Sequence, residues 1–248
     1  MNKVVLITGG AGGIGSATAL KLAQEGHDIV INFLHSETKA NELKEKIERE
    51  YGVRCLALQA DVSDEEAVEE MIKTIDRELG GVDILINNAA IDMPDLFGSK
   101  DAKQFRRVLD VNVVGAYNCA KSVYPHMKEK GHGKIVNISS TNGINTYYPM
   151  CFDYDASKAA LLSLTHDLAV QFAPYVNVNA IAPGFIGTEK ELDGYDEEFL
   201  KQECEKILMG RYGEPEEVAE LISFLVSEKA SYINNTVIRI DGGQMGSY

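Results

Sequence analysis

The sequence predicts an α/β fold, a doubly wound parallel sheet of about seven strands, on three observations. Apolar, β-branched runs alternate with amphipathic helical stretches from end to end, the pattern that right-handed βαβ crossovers produce. A glycine-rich turn, TGGAGGIG (8–15), separates the first such run from the first helical stretch. The 248 residues suffice for one large core and leave little for a second, so residues 1–248 are expected to form one dinucleotide-binding and catalytic domain.

The strands are expected at KVVLIT (3–8), DIVINF (28–33), RCLALQ (54–59), DILIN (83–87), KIVNIS (134–139), VNVNAI (176–181) and TVIRI (236–240), all buried on both faces. Between them, IGSATALKLAQEG, SETKANELKEKIEREYG and SDEEAVEEMIKTIDRELG read as helices, several opening on Ser or Asp and closing on Gly. Residues 141–153 and 184–197 resist regular assignment. Irregular segments after strand carboxyl ends border the ligand crevice of an open α/β sheet, so substrate loops are expected at about 141–153 and 184–212.

Composition excludes several classes. A formal net charge of −14 argues against nucleic acid and anionic membrane as partners. No apolar run reaches the ~20 residues of a membrane span. The chain enters strand-like sequence at once with no signal peptide, so a cytoplasmic location is expected. The four cysteines lack C-x-x-C spacing and read as structural thiols rather than metal ligands.

Two clusters carry chemistry. In TGGAGGIG, glycines permit a tight turn and close backbone approach, and the following helix offers unpaired N–H groups to a pyrophosphate; this is a Rossmann-type signal for a dinucleotide. In YDASK, Tyr154 and Lys158 stand four apart and share a helix face, with Ser140 upstream. The cation is expected to pull the phenol from its usual ~10 toward the working range, while Ser140 bonds the substrate oxygen. Alone, Y-x-x-x-K is commonly a solvated Lys beside a half-buried Tyr. The set as a whole is equipment for making or breaking a carbonyl.

With these residues in place, the chain resembles the short-chain dehydrogenase/reductase family, in the one-domain branch that includes 3-oxoacyl-carrier-protein reductases and glucose and hydroxysteroid dehydrogenases. The similarity covers essentially the whole chain. Thr8, Gly9, Gly13, Ile14 and Gly15 match the glycine-rich loop. Asp61 and Val62 match the pair bordering adenine, and Asn87, Asn88 and Ala89 the N-N-A segment. Asn112 matches the Asn that holds a proton-relay water, and Ser140, Tyr154 and Lys158 match the active-site trio. Pro183, Gly184, Ile186 and Thr188 match the loop over the nicotinamide amide. The alternatives are that Asn112 only kinks a helix and Asp61 only caps a strand end. The resemblance implies hydride transfer between nicotinamide and carbonyl carbon, with Tyr154 as acid/base, Lys158 tuning it and contacting the ribose, Ser140 orienting the carbonyl and Asn112 supporting a proton path. It also implies a homo-oligomer, expected to be a tetramer.

Three departures stand out. Ala90 replaces the glycine usual after N-N-A, so a methyl group must be accommodated beside the cofactor. The interval from Ser140 to Tyr154 is one residue longer than is common, which leaves Ser139 as the alternative hydroxyl. Asp153 and Asp155 flank Tyr154 and are expected to point into solvent or pair elsewhere.

At the end of the second strand, where an acidic residue ordinarily binds the adenosine ribose, the chain reads Phe33, Leu34, His35 and Ser36. With no carboxylate there, NADP(H) is the expected cofactor, contacted by Phe33, His35 and Ser36 with Lys39 nearby; NAD(H) is the alternative. The expected substrate is a small-molecule alcohol or carbonyl. Tyr147, Tyr148, Met150 and Phe152 suggest an apolar or ring-shaped one, or else they pack the loop. Competing readings are a 3-oxoacyl-carrier-protein reductase and a non-catalytic dinucleotide sensor or scaffold; the second conflicts with retention of both Tyr154 and Lys158. A sugar-nucleotide epimerase or dehydratase is disfavoured by length. Carrier-protein docking is disfavoured because Gly131, Pro174 and Tyr175 stand where basic residues are expected beside the active-site mouth, although Lys128, Lys130 and Lys134 lie close by.

Overall fold

The computed structural model describes residues 2–245. Seven parallel strands, β1 (Val4–Ile7), β2 (Asp28–Phe33), β3 (Cys55–Gln59), β4 (Ile84–Asn87), β5 (Gly133–Ile138), β6 (Val176–Pro183) and β7 (Val237–Ile240), form one sheet in the order β3-β2-β1-β4-β5-β6-β7. The order reverses between β1 and β4, and such a switch point opens a crevice at the strand carboxyl ends. Each predicted strand is found within two residues of its expected limits. Five are buried throughout or nearly so, but β3 and β7 are only partly covered. They are the sheet edges, with a neighbour on one side alone, so the expectation of burial on both faces holds only for the interior strands.

The helices are α1 (Gly13–Gln24), α2 (Glu37–Tyr51), α3 (Glu65–Leu79), α4 (Ala102–Leu109), α5 (Gly115–Lys130), α6 (Phe152–Phe172), α7 (Glu189–Gly194), α8 (Glu197–Glu205) and α9 (Pro215–Val226). Helix α3 starts on Asp64, whose carboxylate accepts from the N–H groups of Glu66 and Ala67, and ends on left-handed Gly80. Two apolar clusters cover the two faces of the sheet. One joins β1, β2 and β4 to α1, α2 and α9; the other joins β1, β4 and β5 to α3, α5 and α6. Cys55 and Cys119 lie in these clusters, where burial pushes both thiols up to about 12.

The predicted irregular segments are partly ordered. Thr141–Gly143 makes a 3-10 turn, and the stretch after β6 contains α7 and α8. Among the described residues no helix is long and apolar enough to cross a membrane.

Candidate active site

The glycine-rich turn is shaped by contacts that leave no room for side chains. A Cβ at Gly15 would lie 2.6 Å from the Gly9 carbonyl oxygen, and one at Gly9 would meet the Ala89 Cα at 3.0 Å. Gly9 and Gly13 also have left-handed φ of 59° and 50°, which favours glycine. The turn is clasped to the end of β4: Thr8 Oγ1 accepts from the N–H groups of Asn88 (2.9 Å) and Ala89 (3.0 Å). Asn88 Nδ2 donates to the carbonyls of Thr8 and Gly9, both at 3.0 Å. Asn32, which no local sequence motif marks, is buried in β2 and ties the same turn to the end of β3 by accepting from Gly9 N–H (3.3 Å) and donating to Ala60 O (3.0 Å). Gly12 caps α1 with open space around it and no side-chain cap, so the helix presents free N–H groups. This cradle fits a dinucleotide pyrophosphate.

Ala90 is exposed and needs no special backbone: among the described residues the only non-glycine with positive φ is Asn235. Asp61 caps the turn that follows β3 and is also held by a charge. Its carboxylate accepts from Ser63 N–H and Oγ and pairs with Arg107 at 2.8 Å. Burial raises its pKa, but these partners outweigh burial and hold it below the usual range. Phe33 and Val62, expected to border the adenosine, pack into the two core clusters at the strand ends. Val62 lies where a Cβ on Gly115 would come within 2.5 Å of it. His35 and Ser36 are exposed beyond β2, and Ser36 stands at the cap of α2 with its hydroxyl making no cap bond. Lys39 is held by Glu189 at 2.6 Å.

Tyr154 and Lys158 face the main cleft from α6. This cleft of about 570 Å³ is also lined by Ser140, Asn88, Ala90, Gly184, Ile186 and Thr188. Gly184 and Ile186 follow β6, and Thr188 caps α7 while packing on Gly13, whose added Cβ would stand 3.1 Å from its methyl. The Lys158 Nζ donates to Ile138 O (2.8 Å) and lies 5.3 Å from the Tyr154 ring centroid. Burial pulls this lysine down to about 8. The phenol moves opposite to expectation. Burial raises its pKa first, the charges of Asp92, Glu191 and Asp155 add to the rise, and only the hydrogen bond with Ser140 lowers it. Lys158 lies under the ring and bonds a backbone carbonyl, so three carboxylates and desolvation win.

Between the two candidate hydroxyls, Ser139 is committed: it donates to Lys158 O at 2.8 Å. Ser140 accepts from Asn142 N–H and remains in contact with the phenol. Asn112 sits in a π-helical turn, Asp110–Val114, so it does distort its helix, and it does more. Its amide bonds Ile91 N–H (2.8 Å), Ile91 O (2.9 Å) and Ser157 Oγ (2.9 Å), stapling the loop after β4 to α6.

Neither flanking aspartate points into solvent. Asp153 is buried against Lys100, and Asp155 accepts from Asn142 Nδ2 (2.6 Å) and Tyr148 N–H (3.3 Å). Of the loop aromatics, Tyr148 lines the cleft and donates to Glu203 at 2.7 Å, and Met150 also lines it. Phe152 packs on Phe97 and Phe105 instead, and Tyr147 is exposed. Gly131, Pro174 and Tyr175 do not flank the mouth within this chain. They surround a small pocket with Lys3, Asp83 and Lys134 at the amino ends of β5 and β6, the opposite end of the sheet. There Lys130 pairs with Asp83 and Lys134 donates to Asn177.

A glycine cradle at the switch point, opening into a cleft with a phenol, a lysine and a serine, defines a nicotinamide-dinucleotide oxidoreductase. Residues 9–245 match the family model described as Enoyl-(Acyl carrier protein) reductase. The chain is 36% identical to the 3-oxoacyl-[acyl-carrier-protein] reductase of Staphylococcus epidermidis strain ATCC 35984, over 98% of this chain and 99% of the relative. It is 38% identical to that of Aquifex aeolicus strain VF5, over 97% and 96%. The crystal structure of acetoin dehydrogenase YohF from Salmonella typhimurium superimposes with a TM-score of 0.89 at 36% identity, covering 99% of this chain and 96% of that one. The chain belongs to the short-chain dehydrogenase/reductase family, whose members are NAD(P)-dependent oxidoreductases acting on CH–OH groups.

Proposed function

We propose that this enzyme interconverts a secondary alcohol and a ketone on a free small molecule. The observation that carries the reading is the convergence of Tyr154, Lys158 and Ser140 on one wall of the cleft beside the glycine cradle. A nicotinamide dinucleotide bound in the cradle supplies hydride exchange. Ser140 holds the substrate oxygen, and Tyr154 gives or takes its proton. Lys158 keeps a cation beneath the phenol ring. Asn112 is a positioning residue that fixes Ile91 and the first turns of α6. The Tyr148–Glu203 bond ties the loop before α6 to α8 beside the cleft. Gly9, Gly13, Ile14, Gly15, Asn88, Ala89 and Asp61 are assigned to the dinucleotide, as are Pro183, Gly184, Ile186 and Thr188 over the nicotinamide.

NADP(H) is the proposed cofactor, supported by the lack of a carboxylate at positions 33–36 and by the exposed His35 and Ser36; NAD(H) is the competitor. A cytoplasmic homotetramer in one catalytic unit completes the reading. The second reading, reduction of a 3-oxoacyl group on carrier protein, is favoured by the identity to such reductases. The acidic surface and the carboxylates around Tyr154 oppose it, because an acidic carrier would be repelled. The test is turnover with each dinucleotide on acetoacetyl-carrier protein and on free ketones. A Tyr154→Phe control should fall by about 10²–10⁴-fold. Near-normal turnover by that variant rules out the mechanism, and efficient carrier-bound reduction that weakens with salt selects the second reading.

A further inference from the structure

We propose that Glu191 is a specificity-determining residue that receives an ammonium group of the substrate, making the alcohol or ketone handled in this cleft an amino alcohol or amino ketone. The inference rests on the oxidoreductase reading above.

Glu191 lies in the first turn of α7, where Thr188 Oγ1 accepts from its backbone N–H at 3.3 Å. It lines the same cleft as Tyr154 and Ser140. Among the described residues its carboxylate has no ion-pair or hydrogen-bond partner. The adjacent Lys190, the obvious candidate, is paired with Asp92 instead. Glu191 is nonetheless withdrawn from water: burial raises its pKa, with Lys190 opposing and Asp92 reinforcing the rise. A half-buried carboxylate without a partner is costly unless something cationic joins it.

Its surroundings suit a cation. Tyr148, Tyr195 and Phe199 line the same cleft, and Tyr195 stacks on Phe199 with centroids 4.2 Å apart. Burial raises the pKa of both tyrosines first, and the Glu191 charge adds to the rise in each. Aromatic faces grouped with a carboxylate attract ammonium groups through charge and ring quadrupole together. An independent feature agrees. Gln244 is 5% exposed and lines the cleft, and its buried Oε1 has no donor among the described residues. An ammonium brings the positive charge that Glu191 lacks, and N–H donors of the kind that Gln244 Oε1 lacks. A carboxylate or phosphate placed beside Glu191 would instead be repelled by its charge.

Two measurements test the proposal. The first is binding by calorimetry of benzylammonium and of benzyl alcohol, its neutral counterpart, with no turnover required. The parent should prefer the cation by about tenfold, the scale of a desolvated cation–aromatic and ion-pair contact, and Glu191→Gln should erase that preference. The second compares kcat/KM for oxidation of 2-amino-1-phenylethanol and 1-phenylethane-1,2-diol, with the ammonium substrate favoured in the parent and the two within about threefold in Glu191→Gln. Equal binding of cation and neutral probe by the parent overturns the proposal, as does a preference that survives in Glu191→Gln. Turnover of the diol with no preference for the amine leaves the oxidoreductase reading standing and removes only this inference. Benzylammonium binding without turnover of any alcohol or ketone removes the oxidoreductase reading instead.

Discussion

Lys100 and Asp153 form an ion pair inside the protein, Nζ to Oδ2 2.6 Å, with side chains 1% and 0% exposed. The pair anchors the loop after β4 to the first turn of α6, one residue before Tyr154, and the ammonium also lies 4.8 Å from the Phe152 ring centroid. Removing one partner of such a pair strands a buried charge. Lys100→Met or Asp153→Asn alone should therefore lower unfolding free energy by about 3–5 kcal/mol, while Lys100→Met/Asp153→Leu should recover most of it. Denaturant unfolding measures this; single variants as stable as the parent would show that the charges find other partners.

The phenol of Tyr154 should make the two reaction directions differ in pH dependence. Its pKa is raised, by burial first and then by Asp92, Glu191 and Asp155, so the protonated form that ketone reduction needs persists through neutral pH. Alcohol oxidation needs the phenolate and should climb toward alkaline pH. Asp92→Asn removes a charge that raises the phenol pKa and also frees Lys190. The rise in oxidation kcat/KM should move to lower pH, and an unmoved profile would show that Asp92 does not act on the phenol.

Lys158 should be a stability liability. Its folded pKa, about 8, lies below the unfolded value of 10.5, and burial is the cause. Below pH 8 both states are protonated and the desolvation cost is present in full. Between pH 8 and 10.5 the unfolded chain binds more protons, so stability rises with pH across that window. Lys158→Met should lose turnover by about 10²-fold or more, keep a Tm at or above the parent near pH 7, and lose the alkaline rise. Thermal unfolding at several pH values checks the sign; a lower Tm for Lys158→Met would mean that its bond to Ile138 O outweighs burial.

Cofactor choice should respond to a residue distant in sequence. Lys39, the nearest lysine to the expected 2′-phosphate position, is occupied by Glu189 of α7. Glu189→Gln should raise kcat/KM with NADP(H) by about threefold, a surface-charge effect that fades with salt, and leave NAD(H) nearly level. Equal changes for both dinucleotides would locate the effect in the substrate loop.

The strands were legible because buried parallel strands are written locally, as short β-branched runs, and the glycine turn because only glycine satisfies its positive φ and close approaches. The trio on α6 was legible from spacing. What escaped depends on distance: Arg107 reaches Asp61 from α4, Lys100 reaches Asp153 from the loop after β4, and Asn32 supports the glycine turn from β2. Helices α7 and α8 are short and polar, so periodicity barely marks them. The direction of the Tyr154 pKa is not legible in sequence, because a neighbour four residues away is visible there, whereas carboxylates converging from separate loops are not.

Asp155 holds both ends of the loop whose end residues line the cleft, Asn142 at one and the Tyr148 N–H at the other. Residues 143–147 are thus pinned at both ends to the helix that bears the proton donor, and Gly143 lies so close to it that an added Cβ would stand 2.7 Å from the Lys158 carbonyl carbon. Such a segment behaves as a brace: Thr146 is buried within it, and a change in its length would be felt at Ser140 and at the start of α6 together. Reprogramming this enzyme toward new substrates is best begun at Met150, whose side chain lines the cleft outside that brace, with Asn142 and Asp155 kept intact as the sockets.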